Sequence, residues 1–144
     1  MNLSKRSEYG LRALLDLAGQ PPDRPVPLRI LAERNRLPVK FLEQIFVTLR
    51  NAGIVHSQTG PGGGYTLGRK AHSITLGEVI RVLDGRLAPV SCLSQIDYAP
   101  CSCPDETSCL LRQAMAPVRQ AIVDVVDRTT LADVTSGRRG RASH

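Results

Sequence analysis

Four cysteines fall between residues 92 and 109, in the pattern Cys92-x8-Cys101-x-Cys103-x5-Cys109. In a reducing compartment such clustering points to metal or redox chemistry more than to structural disulfides. Iron–sulfur clusters and zinc both need three or four soft thiolates converging on one point, which a loop can arrange and a rigid strand cannot. Closed zinc sites favour paired C-x2–4-C knuckles, which are absent here, so an iron–sulfur cluster is the metal reading left open. A metal-free thiol switch is the alternative. No acid/base pair or substrate-pocket signature accompanies the cysteines, so the chain is not expected to be an enzyme or to turn over a small-molecule substrate. His56, His72 and His144 show no ligand spacing and are expected at the surface.

A second set of residues suits nucleic acid. In residues 39–51 (VKFLEQIFVTLRN), Leu42, Ile45, Phe46 and Leu49 recur at helical spacing, with Lys40, Glu43 and Gln44 on the opposite face. Glu43 can accept from a cytosine amino group, while Lys40 and Gln44 can reach guanine, adenine or phosphate; Arg50, near the helix end, can grip phosphate. A plain amphipathic surface helix would share this pattern. What distinguishes it is the following glycine-rich tip, where Gly60, Gly62, Gly63 and Gly64 permit close approach of the backbone to a sugar–phosphate wall. Thr59 and Tyr65 flank that tip as further candidate contacts. Gly63-x4-Gly68 has the glycine spacing of a phosphate-binding loop, but Arg69-Lys70 replaces the required Lys-Ser/Thr, and that reading is rejected.

Charge agrees with a polyanionic partner. Residues 1–70 carry eleven Lys/Arg against five Asp/Glu, whereas residues 71–137 carry five against eight. The positive potential therefore belongs to the N-terminal half, with three more arginines at 138–141. At 144 residues and 42% hydrophobic the chain is one domain's worth, and with 3% aromatics its core must be aliphatic, which favours helices. No apolar run is long enough to cross a bilayer and no signal-peptide h-region follows the start, so a cytoplasmic protein without membrane contact is expected.

The elements that must position these residues follow from periodicity. A helix over 4–18 is capped by Ser4, and a short helix covers Leu28–Arg34. A turn at Arg36-Leu37 leads to the helix at Val39–Asn51, which Pro38 opens and Gly53 closes. Residues 54–58 and 65–67 alternate as a hairpin, and Thr75-x-x-Glu78 opens a fourth helix that ends at Asp84-Gly85. Helical spacing returns from Ser108 to Asp127, where Leu111, Met115, Val118, Ile122 and Val125 form an apolar row with Pro117 as an expected kink or late start. One small domain cannot cover so long a strip, so a partner helix from a second protomer is expected. Thr130 caps a final short turn at Leu131–Val134. The fold class is mainly α with a small β-hairpin, a winged helix-turn-helix plus a long C-terminal helix.

LEQIF (42–46), LRNAGIV (49–55) and GPGGGYTLGRK (60–70) resemble the Rrf-type winged-helix regulators, a family that includes the iron–sulfur proteins IscR, NsrR and RirA. The opening LSKRSEYGLRALLDLA and SITLGEVI (73–80) are similar as well. The resemblance implies a homodimer that binds double-stranded operator DNA, most simply as a repressor, with the long helix as dimer interface and a cluster in the cysteine loop. Nitric oxide, redox stress and iron or cluster status are the implied signals. The family spacing makes Cys103-x5-Cys109 the last two ligands and Cys92 the first, with Cys101 as an extra thiol, and 2Fe-2S is favoured over 4Fe-4S. The histidine that some members place three residues after the last cysteine is Arg112 here, which cannot bind metal. Other members use a carboxylate near the start of the first helix, a position that Glu8 occupies; an i,i+4 pair with Arg12 is its ordinary alternative. The arginine that often begins the wing is Thr59 here. The expected organisation is a winged helix-turn-helix over 1–85, a cysteine loop over 86–107, a dimerisation helix and turn over 108–135, and a disordered basic tail over 136–144.

Overall fold

The computed structural model describes residues 3–85 and 108–142. Among the described residues, six α-helices and one hairpin follow in order: α1 (Lys5–Ala18), α2 (Leu28–Asn35), α3 (Val39–Asn51), β1 (Val55–Gln58), β2 (Gly64–Leu67), α4 (Leu76–Asp84), α5 (Leu110–Arg128) and α6 (Leu131–Ala142). The strands pair antiparallel with Val55 opposite Leu67 and Gln58 opposite Gly64. This is the winged helix-turn-helix expected from the periodicity. Cys92, Cys101 and Cys103 lie outside the described residues.

Helix α1 runs through the centre and touches α2, α3, α4, α6 and β2. Ser4 caps it by accepting from the Ser7 amide, and Leu11, Ala13, Leu14 and Leu17 bury its apolar stripe. The core is aliphatic: Leu14, Leu31, Leu42, Ile45, Leu49, Ile54, Ile74 and Val79 are all fully buried, with Phe46 the single large ring among them. Four of the five aromatic residues pair edge to face, Tyr9 with Phe41 at 5.6 Å and Phe46 with Tyr65 at 5.0 Å.

The C-terminal helices are fastened to this core at their junction. Thr75 and Thr130 form an isolated bridge; the Leu76 amide donates to the Thr129 carbonyl and the Leu131 amide to the Ile74 carbonyl, both at 2.9 Å. The Leu131 side chain is fully buried and completes the core of the N-terminal elements. Arg81 of α4 grips Asp127 of α5 through two hydrogen bonds, at 2.6 and 3.0 Å. At Gly77, on the same face of α4, a Cβ would lie 2.1 Å from the Asp127 carboxylate, so a larger residue there would displace the ion pair.

Two features differ from the sequence pattern. Helix α5 runs unbroken through Pro117, beginning at Leu110, so the proline does not delay its start. The last helix is longer than a turn at Leu131–Val134: its backbone stays helical to Ala142, across most of the stretch expected as a tail. A reciprocal cap explains its nucleation, with the Thr130 amide donating to Asp133 and the Asp133 amide to the Thr130 hydroxyl.

The hydrogen bonds from Arg81 hold the Asp127 carboxyl below its ordinary value of 3.8. A depressed carboxylate stabilises the fold above that value and loses its contribution as the pH falls through the lowered one. Both groups are partly exposed, so Arg81→Ala should cost only about 0.5 kcal/mol at pH 7. Urea titrations should show that difference shrinking toward zero in acid below the ordinary carboxylate range; an undiminished difference would mean that the ion pair is not its source.

Candidate nucleic-acid interface

The buried face of α3 sets the helix's rotation. Leu42, Ile45, Phe46 and Leu49 have no exposed surface, which turns Lys40, Glu43, Gln44 and Arg50 to solvent. Spacings of three and four place Lys40, Glu43 and Gln44 on one polar strip, as expected. Val39 and Val47 lie on the same side, 37% and 41% exposed. Nothing in their residue type marks them as exposed, and only the helical spacing to Lys40, Glu43 and Gln44 carried that signal. An outward valine can pack on a thymine methyl group.

The joint between α2 and α3 is latched by α1. Arg36 adopts the left-handed conformation (φ 54°) at the end of α2, and the Leu37 amide reaches back to the Ala32 carbonyl at 2.9 Å. The Asn35 carbonyl, left over at the helix terminus, accepts from Arg12 at 2.5 Å. One turn along α1, Asp16 accepts from the Asn35 side chain at 2.8 Å and pairs with Arg34 at 3.2 Å. Arg6 donates to the Thr48 hydroxyl of α3 at 2.9 Å. The orientation of α3 is thus fixed by its core face, by the latched end of α2 that precedes it and by the Arg6–Thr48 tie in its last turns.

The wing is fixed to α3 through Tyr65. Its ring packs edge to face on Phe46, and its amide and carbonyl exchange hydrogen bonds with Val26 at 2.8 and 2.9 Å. Tyr65 is therefore half-buried and positions the wing, whereas Thr59, Gly60 and Gly62 are exposed at the tip. The glycines divide in the same way. Gly63 spends its amide on the Gly60 carbonyl at 3.0 Å. At Gly64, φ is +150° and a Cβ would lie 2.4 Å from the Val26 backbone, so the hairpin itself demands glycine there.

A sequence model of the Rrf2 family, described as iron-dependent transcriptional regulator, matches residues 3–137. The chain belongs to the Rrf2 family. It is 38% identical over 136 residues to the HTH-type transcriptional regulator CymR of Bacillus subtilis, covering 94% of this chain and 91% of that one. It is 37% identical over 134 residues to the HTH-type transcriptional regulator IscR of Vibrio campbellii, covering 93% and 77% respectively. The solved structure of B. subtilis CymR, titled as the global cysteine regulator, superposes with a TM-score of 0.79 at 34% identity over 94% of this chain and 97% of that one. These relatives are transcription regulators, not enzymes, and this Rrf2 chain is a DNA-binding transcription regulator of the winged-helix type.

Of the candidate cluster ligands, the structure describes two. Cys109 is half-buried and occupies the N-cap position of α5, its carbonyl accepting from the Gln113 amide at 3.1 Å. Glu8 lies in the first turn of α1 and pairs with Lys5 at 3.3 Å. Arg12, the alternative partner considered for Glu8, is instead committed to the Asn35 carbonyl. Among the described residues no three His, Cys, Asp or Glu side chains converge on one point. No helix among them is long and apolar enough to cross a membrane.

Gly64→Ala should strain the hairpin and push the wing off Val26, lowering stability by about 1–3 kcal/mol. Its operator affinity should fall, while Gly60→Ala, which meets no clash and bears only the strain of a φ of +90°, should be milder in thermal melts. Equal melting temperatures for Gly64→Ala and the parent chain would remove the wing–Val26 contact from the account.

Proposed function

We propose that this Rrf2 regulator reads a pseudo-palindromic operator as a homodimer, most simply as a repressor, and that its cysteine segment sets the affinity of that binding. The observation that carries the DNA reading is the strip of Lys40, Glu43 and Gln44 held outward by a fully buried opposite face, beside an exposed glycine tip. Phosphate contacts from Arg50 and the tip would fix register, and the strip would read base edges.

Dimerisation through α5 is supported by its bare apolar face. None of its residues is buried by its own chain, and Leu111, Val118 and Val125 are 54%, 41% and 59% exposed. Such a strip at helical spacing seeks a second helix. Its base is clamped to α4 by Arg81–Asp127, so a shift of α5 would reach the DNA-binding elements through that tie.

The four thiols fit an iron–sulfur cluster by the chemistry of the donor set, with Cys92, Cys103 and Cys109 as ligands and Cys101 or Glu8 completing the shell. Bound there, a cluster supplies redox and ligand-exchange chemistry responsive to nitric oxide, oxidants or iron supply. Cys109 directly precedes α5, so its ligation state bears on the start of that helix. The similarity to CymR favours a second reading, in which the same cysteines work without a cluster as a thiol switch or through a partner protein.

Anaerobic purification separates the two. A brown protein with stoichiometric iron and sulfide supports the cluster, lost in Cys92→Ala and Cys109→Ala; a colourless protein leaves the thiol switch. An unaltered cluster spectrum and lifetime in Glu8→Ala would remove Glu8 from the shell. In gel shifts Lys40→Ala and Glu43→Ala should each weaken operator binding by about tenfold or more, the scale of one base contact, with cluster content and oligomeric state retained. Unchanged binding would discard the assignment of α3. Val118→Glu should give monomers by sedimentation, and a persistent dimer would place the interface elsewhere.

A further inference from the structure

Beside the root of the wing lies a cleft of about 680 Å³, enclosed by the loop between α1 and α2, residues 66–72, and the first turns of α6. That volume falls within the range of sites for small organic ligands. Leu17, Leu67, Ala71 and Ala132 contribute apolar lining, and Arg24 and Lys70 stand among its lining residues. No acidic residue lines it. Arg69, also in the wall, is neutralised by two hydrogen bonds to Glu78, at 2.8 and 2.5 Å. By contrast, Arg24 and Lys70 have no ion-pair partner among the described residues.

We propose that this cleft binds a small organic acid, with a carboxylate or phosphate held by Arg24 and Lys70 and an apolar body seated against Leu17, Leu67 and Ala132. Two uncompensated cations in a lining that is otherwise partly apolar favour an anion that also carries hydrophobic surface over either a bare inorganic ion or a neutral apolar molecule. The cleft is distinct from the DNA-facing strip: neither α3 nor the tip at 59–64 contributes to its lining. Its walls join the wing root to α6, and α6 carries Leu131 into the core. A ligand there contacts both the wing and α6, so occupancy that differs between two positions of the wing would shift their populations. That last consequence rests on the operator-binding reading; the binding site itself does not.

The test is an amide NMR titration of the full chain without DNA, using 1-naphthoate, 1-naphthyl phosphate, the neutral 1-naphthalenemethanol and inorganic phosphate as probes. At least one of the two naphthyl anions should move the resonances of Gly68, Ala71, His72 and Ala132 saturably, and the tighter of the two identifies the preferred headgroup. The neutral alcohol and inorganic phosphate should bind at least tenfold more weakly. The surface double variant Arg24→Ala/Lys70→Ala should weaken the preferred anion at least tenfold, and Ala132→Phe should occupy the cleft and abolish the shifts. No saturable shift with either anion, shifts confined to the apolar face of α5, or equal affinity in the double variant would each overturn the proposal. Because DNA is absent from the experiment, its failure leaves the operator reading intact, and failure of the gel shifts leaves this site untouched.

Discussion

The burial of one face of α3 is the constraint on which the rest of the molecule depends. Four side chains of that helix, Leu42, Ile45, Phe46 and Leu49, are fully sealed in the core. A helix so held cannot rotate without exposing several of them, at roughly 1.5–3 kcal/mol for each large apolar side chain. The polar strip is consequently presented at a defined angle, as base readout requires. Phe46 serves twice, since its ring also supports Tyr65 and so ties the wing to the same helix.

Around that helix, α1 acts as a frame. Its apolar side packs into the core, and its polar residues reach the joints: Arg12 and Asp16 to the end of α2, Arg6 to Thr48, and Ser7 to Asp84 at 2.7 Å. Ser7 is fully buried, and its hydroxyl is satisfied by a carboxylate at the very end of α4. The start of α1, where Glu8 lies, is thereby bound to the point from which the chain departs toward the cysteines. On the opposite side, the exchange of backbone hydrogen bonds between residues 74–76 and 129–131 sews the C-terminal helices onto the same body. What leaves this body is the apolar row of α5, of which Leu111, Val118 and Val125 stay exposed.

Local chemistry made much of this legible in advance. The helical spacing in 39–51, Pro38 before it, Ser4 and Thr75 as caps, and the glycine run between two alternating segments each point to a single local conformation. Their agreement specifies the winged helix-turn-helix. Glycines 60–64 were harder to read, because a turn that needs glycine for its own closure and a loop that needs it to approach a ligand have the same composition. In the structure the turn itself accounts for glycine at each: Gly64 is confined by Val26, and Gly60 and Gly62, though open, take φ of +90° and +76°.

From the sequence alone came the identity of the elements, the face of α3 that points outward, the apolar row of α5 and the grouping of four cysteines between residues 92 and 109. These are properties of residue type and of spacing within about four positions, so they survive without knowledge of distant neighbours. Only the tertiary structure decided that Tyr65 belongs to the wing's support, that Arg12 serves the helix-turn-helix joint instead of Glu8, and that Leu131 seals a core built by residues 11–83. It alone also assembled the cationic cleft beside the wing root from three separate stretches of chain. Each of these depends on groups that are remote in sequence and come within hydrogen-bonding or van der Waals distance only when the core closes, a relation that no local periodicity encodes.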